Sequence, residues 1–143
     1  MGSADEIINQ LELKPHPEGG HYRETYLDNH KIGSNRQLCS IIYYLIKDNE
    51  KSHWHRVDAT ECWFWHAGSS LALTISKDGL NTSLIQLGSK LKSGQCLHFV
   101  VEKNWWQTAI SLGNWSLVSC LVTPSFQFSG FELADKDWKP GPN

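Results

Sequence analysis

The feature that most restricts the fold of this chain is a series of short, strand-like segments between residues 21 and 123. The segments are rich in β-branched and aromatic residues, and turn pairs such as Asp78-Gly79 and Gly113-Asn114 separate them. The predicted strands cover residues 21–27, 37–47, 52–57, 60–67, 70–77, 82–87, 95–102, 105–112 and 115–123. Many short strands at regular spacing are typical of a sandwich or barrel, so the sequence predicts an all-β fold.

Only the beginning of the chain has a helical pattern. Ser3 and Glu6 have the spacing of a capping box, and apolar residues follow at helical intervals before a proline-containing stretch. The length suits a single domain. The predicted plan is one domain over residues 1–143, with a helix over 3–13, a barrel over 19–131 and a surface tail over 132–143.

Composition and charge argue against several kinds of partner. The formal net charge is -2 and charges of both signs are scattered, which gives no support to a nucleic-acid or acidic-membrane partner. No apolar run reaches transmembrane length, and the first residues lack the apolar region of a signal peptide. We therefore expect a cytoplasmic protein whose four cysteines are free thiols among apolar residues.

A group of polar residues around the end of one predicted strand is the best candidate for a functional site. His53 and His55 are two positions apart in a strand, so their side chains should project to the same face. A tight turn at Asp58-Ala59 would bring Glu61 beside them on the next strand. Two imidazoles and a carboxylate suit a divalent transition metal with open positions, but they can equally form a hydrogen-bonded cluster without metal. Both interpretations predict a pocket.

The same residues resemble the first motif of the cupin superfamily, in which H-x-H is followed by glutamate and, later, glycine. His53, His55, Glu61 and Gly68 fit that motif with a five-residue spacer before the glutamate. In the stretch that resembles the second motif, Gln107 stands where histidine is expected. The resemblance implies a cupin jelly-roll barrel. It also implies metal ligands at His53, His55, Glu61 and Gln107 for Mn, Fe, Ni or Zn; the alternative is no cofactor.

Longer stretches resemble one family within this superfamily, Cupin_5 or DUF985. These stretches follow one another along nearly the whole chain: 17–24, 40–45, 52–56, 58–61, 105–107 and 124–128. The resemblance implies a homodimer and kinship with deoxysugar-nucleotide epimerases of the RmlC type. It does not imply a particular reaction.

Strand parity assigns some of the seven tryptophans to the interior of the predicted barrel. If Glu61 faces inward, so does Trp65, and if Gln107 faces inward, so does Trp105. Their flat faces suit a planar or sugar-like ligand, so both are predicted to bind substrate, although they can also simply fill the barrel. Arg56 is a candidate for binding an anionic substrate, with an ordinary salt bridge as the alternative.

Proton transfer has its own candidates. In a metal-free site, a histidine such as His55 would act as general base and a tyrosine as general acid, as in epimerisation beside a carbonyl. Either Tyr43 or Tyr44 must face the interior, and Tyr44 is the candidate. Glu24 is a further catalytic candidate through the family resemblance; a solvated surface glutamate is the alternative.

Two classes of function remain. The first is an enzyme that acts on a small carbohydrate-like or carbonyl substrate, either through a metal or as an epimerase or isomerase. The second is a non-catalytic barrel that binds a small ligand. No peptide-recognition signature, P-loop or G-x-S-x-G elbow is present, so a small molecule is the expected partner.

Overall fold

A computed structural model describes residues 1–33 and 36–142 of the chain. The described residues form one α-helix, α1 (Ala4–Gln10), and otherwise mainly strands. The strands are β1 (Lys14–Pro15), β2 (His21–Leu27), β3 (Lys31–Ile32), β4 (Arg36–Gln37), β5 (Ser40–Lys47), β6 (Ser52–Val57), β7 (Thr60–Gly68), β8 (Leu71–Ser76), β9 (Ser83–Leu87), β10 (His98–Val101), β11 (Trp106–Ser111), β12 (Trp115–Thr123) and β13 (Phe131–Leu133). The predicted all-β fold is confirmed.

Helix α1 begins at the predicted capping box. The Ser3 hydroxyl accepts a hydrogen bond from the Glu6 amide, and the Glu6 carboxylate accepts one from the Ser3 amide. Ile7 on the inner face of the helix packs with Leu45 and Leu117, so α1 covers part of the larger sheet. Within the described ranges, α1 is too short to cross a membrane and no other helix is long and apolar enough to do so.

Two antiparallel sheets pack face to face. One has the strand order β1-β2-β5-β12-β7-β10 and the other the order β13-β6-β11-β8-β9. Tyr44, Trp63 and Val118 of the first sheet share one buried cluster with Leu73 and Ala109 of the second. The core therefore lies between the sheets, in the jelly-roll arrangement that the sequence predicts.

Strand β6 contains one extra residue, and that residue decides which of its side chains face inward. On β11, Gln107 and Ala109 are two positions apart, but their partners on β6, His55 and Ser52, are three apart. Such a bulge inverts the alternation of side chains along the strand. As a result, Ser52 and His55 are both buried, and the His53 side chain in between turns outward.

The chain after β12 returns across the five-stranded sheet. Strand β13 pairs with β6 at the sheet edge, and the segment that follows it, residues 134–142, runs over the outer surface. Trp138 in this segment packs against Trp54 and Trp106, with ring centroids 6.2 Å and 4.5 Å away. We call residues 131–142 the strap. Residue 143 of the predicted tail lies outside the described residues.

Candidate functional site

A cavity of about 340 Å³ opens between the two sheets. Strands of both sheets and the first part of the strap contribute to its wall. Its polar inner end contains His16, Glu18, His55 and Glu61. The other lining residues are Lys14, Tyr22, Arg23, Glu24, Ser40, Ile42, Val57, Cys120, Val122, Phe126, Phe128 and Phe131.

A short polar contact at the inner end joins His55 to Glu18. Both side chains are buried, and His55 Nδ1 lies 2.7 Å from Glu18 Oε2. The same nitrogen donates a hydrogen bond to the carbonyl oxygen of His53 at 2.8 Å. Because the N–H points at that carbonyl, Glu18 Oε2 is a buried oxygen without a hydrogen-bond partner among the described residues. Charge attraction therefore accounts for its position beside the ring.

The contact favours an ion pair. Burial alone would lower the pKa of His55, but the carboxylates of Glu18 and Glu61 and the His53 carbonyl together raise it to about 9. Burial would raise the pKa of Glu18, yet the adjacent His55 imidazolium brings it below its ordinary value. Near neutral pH the cavity therefore contains a protonated His55 beside an ionised Glu18.

Glu61 has a different environment in the same cavity. Its Oε1 accepts a hydrogen bond from Gln107 Nε2 at 2.7 Å, and Gln107 Oε1 accepts one from Trp63 Nε1 at 2.8 Å. Burial raises the pKa of Glu61 to about 7 with help from the charge of Glu18, although His55 and the Gln107 hydrogen bond act against the rise. Glu61 can therefore gain or lose a proton near neutral pH.

A tight loop before β2 carries Glu18 into the cavity. Gly19 has φ +110°, and a Cβ atom there would lie 1.9 Å from the Lys51 carbonyl oxygen, so only glycine fits. The loop is fixed to β6 because the His53 amide donates to the Glu18 carbonyl at 2.8 Å. His16, in the same loop, accepts a hydrogen bond from the Glu18 amide at 3.1 Å, and burial lowers its pKa.

His16 and Glu18 are not among the site residues predicted from the sequence. The available signal was the Pro17–Glu24 stretch with two adjacent glycines, which carries part of the family resemblance. A pair of glycines that require positive φ indicates a loop of unusual conformation, but not which of its side chains turns inward.

The structure does not bring the predicted metal ligands together. His55 and Glu61 share the cavity, but the bulge in β6 turns His53 outward, where its Nε2 donates to the Asp135 carbonyl at 2.9 Å. The amide oxygen of Gln107 faces Trp63 instead of the cavity. Over residues 1–33 and 36–142, no three His, Cys, Asp or Glu side chains are grouped so that they could hold a metal ion. The residues therefore do not fit the predicted metal centre.

The predicted substrate-binding residues also lie apart from His55 and Glu61. Trp65 and Trp105 pack against the core cluster, and neither lines the cavity. Their parity was assigned correctly to the interior, but they fill it at another level of the barrel, the alternative given above. Arg56, next to His55 in β6, points outward and pairs with Glu132 at 2.7 Å.

Tyr44 and Glu24, the other predicted catalytic residues, lie in different places. Tyr44, and not Tyr43, faces the interior, where its hydroxyl donates to the Gly19 carbonyl. Tyr44 is fully buried and does not line the cavity. Glu24 does line the cavity, and it is exposed to solvent.

Phenylalanines, not tryptophans, form the aromatic wall of the cavity. Phe126 and Phe128 lie just before the strap, with ring centroids 5.0 Å apart, and Phe131 is the first residue of β13. The Phe131 ring centroid lies 5.5 Å from that of His55. The wall therefore depends on pairing of β13 with β6.

The outward position of His53 gives a first prediction. Replacing His53 by alanine removes a hydrogen bond to the strap worth about 1 kcal/mol, so amide hydrogen exchange over residues 131–138 should rise about fivefold. Mass spectrometry of deuterated peptides measures this rate. A matched control is His30→Ala, because the ring of the exposed His30 hydrogen-bonds to Asp28 alone among the residues that the structure describes. Unchanged exchange in the strap would contradict the assigned role of His53.

Comparison with known proteins identifies related sequences and folds. The model of the Cupin_5 family, described as cupin superfamily (DUF985), matches residues 5–134. Protein SO0799 from Shewanella oneidensis is 39% identical over 94% of this chain and 86% of its own length, with a TM-score of 0.91. A hypothetical protein from Leishmania major is 29% identical over 96% of this chain and 90% of its own, with a TM-score of 0.89.

A more distant structure resembles the chain in fold alone. A variant of oxalate decarboxylase from Bacillus subtilis has a TM-score of 0.63 at 11% identity, over 83% of this chain and 29% of its own. No curated protein matches the chain. The comparisons therefore identify a family and a fold, and the chemistry must be argued from the cavity.

Proposed function

Because the chain belongs to the DUF985 family of the cupin superfamily, we propose that its barrel is a metal-independent enzyme that moves a proton at a carbon next to a carbonyl group. One observation carries this proposal: an ion pair of His55 and Glu18 shares a cavity with Glu61, whose pKa is about 7. A cation and a carboxyl group that exchanges its proton near neutral pH are the two groups that such a reaction needs.

Glu61 serves as the general base. In its ionised form it removes the proton from the carbon next to the carbonyl, and the electron pair of the broken C–H bond forms a C=C bond. The carbonyl π electrons move to oxygen, which becomes an enolate. A base whose pKa lies near the working pH is ionised often enough to act and still basic enough to take the proton.

His55 stabilises the enolate oxygen. Its Nδ1–H is held by the His53 carbonyl, which leaves the Nε2–H of the imidazolium as the free donor of the ring. This N–H donates a hydrogen bond or its proton to the oxygen on which negative charge develops. Glu18 stays ionised throughout and keeps His55 protonated before the reaction.

Return of the proton completes the reaction. Addition of a water proton to the same carbon from the opposite face gives an epimer, and Glu61 then releases its own proton to water. Alternatively, His55 protonates the enolate oxygen, Glu61 returns its proton to the former carbonyl carbon of the resulting enediol, and the hydroxyl on the original carbon gives its proton back to His55 and becomes the new carbonyl, which gives an isomer. Both outcomes belong to the epimerase or isomerase class expected from the sequence. The apolar side chains in the wall strengthen the electrostatic interactions because they limit the access of water to the reacting groups.

Solvent deuterium exchange tests this proposal. Carbonyl compounds with an α-hydrogen, from hydroxyketones to aldoses and keto sugars, are incubated with the protein in D2O and followed by proton NMR. We expect exchange with at least one compound, with a bell-shaped pH dependence whose limbs fall near 7 and 9, the pKa values of Glu61 and His55. The rate should be the same after treatment with a chelator.

Two other results of the exchange experiment would contradict the proposed function. Exchange that disappears on chelation and returns with a metal would contradict the metal-independent mechanism. Compounds that bind in the cavity without exchanging their α-hydrogen would contradict catalysis and support the non-catalytic ligand-binding barrel instead.

A further inference from the structure

We infer that this site takes a small carbonyl compound with an aromatic or branched aliphatic tail and at most one charge, and not a sugar nucleotide. The carbonyl part of this inference rests on the proposed function. The preference for an apolar tail rests on the walls of the cavity, so it can be tested separately.

The outer part of the cavity is apolar on several sides. Three phenylalanines, Phe126, Phe128 and Phe131, stand edge to face with one another, with centroid distances between 5.0 Å and 6.1 Å. Aliphatic side chains from both sheets complete this part of the wall: Ile42, Val57 and Val122. A flat or branched apolar group buried here gains the hydrophobic stabilisation that a hydroxylated group would forfeit.

The cavity offers a sugar few uncharged hydrogen-bonding side chains, namely His16, Tyr22 and Ser40. The lining residues named above contain no Asn, Gln, Asp or Thr side chain. The Ser40 hydroxyl oxygen already accepts a hydrogen bond from the Phe126 amide at 2.9 Å. A polyol placed against these walls would therefore lose hydrogen bonds to water that the protein does not replace.

The charges also disfavour a diphosphate. Arg23 lines the cavity, but its Nε donates to the Leu11 carbonyl at 2.6 Å and its guanidinium lies over Tyr43. Lys14 lies over the Tyr22 ring at 5.4 Å, and the exposed carboxylate of Glu24 lines the same opening. Two carboxyl groups occupy the inner end, so a ligand with two negative charges meets no excess of positive charge.

The size of the cavity agrees with this inference. A volume of about 340 Å³ lies at the lower end of the range for small-molecule sites. It accommodates a single ring with a short carbonyl-bearing head, and it is small for a nucleotide joined to a sugar. The head would lie among the polar residues of the inner end and the ring among the phenylalanines.

Titration calorimetry with three probes tests the substrate class. The probes are 2-hydroxyacetophenone, dihydroxyacetone and UDP-glucose, which represent an aryl hydroxyketone, a polar hydroxyketone and a sugar nucleotide. We expect 2-hydroxyacetophenone to bind at least about tenfold more tightly than the other two. Phe128→Ser should weaken its binding about tenfold, and the protein should still fold because Phe128 is 55% exposed.

The control and the contrary outcomes are distinct from those of the proposed function. Leu84→Ser removes a comparably exposed apolar side chain from β9, outside the cavity, and should leave binding unchanged. Tight binding of UDP-glucose, or binding of 2-hydroxyacetophenone that ignores Phe128→Ser, would overturn the inference. If 2-hydroxyacetophenone binds as expected but shows no deuterium exchange, the substrate class stands and the proposed reaction fails. If only dihydroxyacetone or a sugar exchanges, the reaction stands and the class fails.

Discussion

Replacing Glu61 by glutamine should slow solvent deuterium exchange about a thousandfold, because an amide cannot accept the proton from carbon. The substitution keeps the size of the side chain and an oxygen that can accept the Gln107 hydrogen bond. The effect therefore isolates the loss of the base from a loss of structure. Rates are measured by NMR at about pH 8, where Glu61 is largely ionised in the wild-type protein.

The same substitution should stabilise the fold. The pKa of Glu61 rises from an ordinary value of 4.5 to about 7 in the folded protein, so the folded state binds more protons than the unfolded state between these values. Stability therefore falls as the pH rises through this window, by about 3 kcal/mol once Glu61 is fully ionised. Glu61→Gln removes this loss, and the gain should appear above about pH 7 and vanish below about pH 4.5.

Urea unfolding at about pH 4.5 and pH 8 measures this gain. Glu102→Gln is the matched control, because Glu102 is an exposed glutamate outside the cavity. Neither the exchange rate nor the free energy of unfolding of this variant should differ from the wild-type value. A Glu61→Gln variant with full exchange activity would show that Glu61 is not the general base. A loss of stability at pH 8 would contradict the raised pKa.

Replacing Glu18 by glutamine is the second substitution with a large expected effect. Without the Glu18 carboxylate, burial dominates and the pKa of His55 should fall from about 9 to its ordinary value of 6.5 or below. The alkaline limb of the exchange profile moves with it, so activity at about pH 8 should drop by at least about thirtyfold. NMR titration of the histidines gives the pKa directly.

Glu18→Gln should destabilise the fold, and the loss should be largest at low pH, whereas Glu61→Gln stabilises the fold at high pH. The raised pKa of His55 contributes stability that is fully present below pH 6.5 and is lost as the pH rises through 9. Breaking the pair should therefore cost about 3 kcal/mol near pH 6, and the difference from wild type should shrink above pH 9. This pH dependence distinguishes the ion pair from simple loss of packing.

An exposed carboxylate–imidazole contact provides the control. Asp28 Oδ1 lies 2.9 Å from His30 Nδ1, and the His30 side chain is 84% exposed. Asp28→Asn should change neither the alkaline limb nor the stability near pH 6 by a comparable amount, because solvent screens that pair. A Glu18→Gln variant with an unchanged His55 pKa would refute the ion pair.

The fold could be predicted because its signals are local. The alternation within strands, the turn at Asp78-Gly79 and the capping box at Ser3 each act over a few residues, and all agree on one architecture. The family resemblance supplied the jelly-roll architecture, which local patterns do not contain. The match of residues 5–134 to the DUF985 family agrees with that resemblance.

Half of the inner end could be predicted, and the other half could not. His55 and Glu61 were selected because a strand pattern brings them together, and both line the cavity. His53 was selected by the same alternation, but one extra residue in β6 turns its side chain to the other face. No residue type in the strand indicates that a bulge occurs there. Glu18 enters from a loop far along the chain from its partner, so periodicity could not pair the two.

The pairing of β13 with β6 also determines when the cavity becomes complete during synthesis. The cavity takes Lys14 from one of the first strands and Phe131 from the last, so ribosomes must translate nearly all the described chain before both walls exist. Until then, the edge of β6 has no partner on that side and His55 remains open to water on the side later covered by Phe131. The nascent barrel therefore completes the wall beside His55 only after residue 131 has been translated.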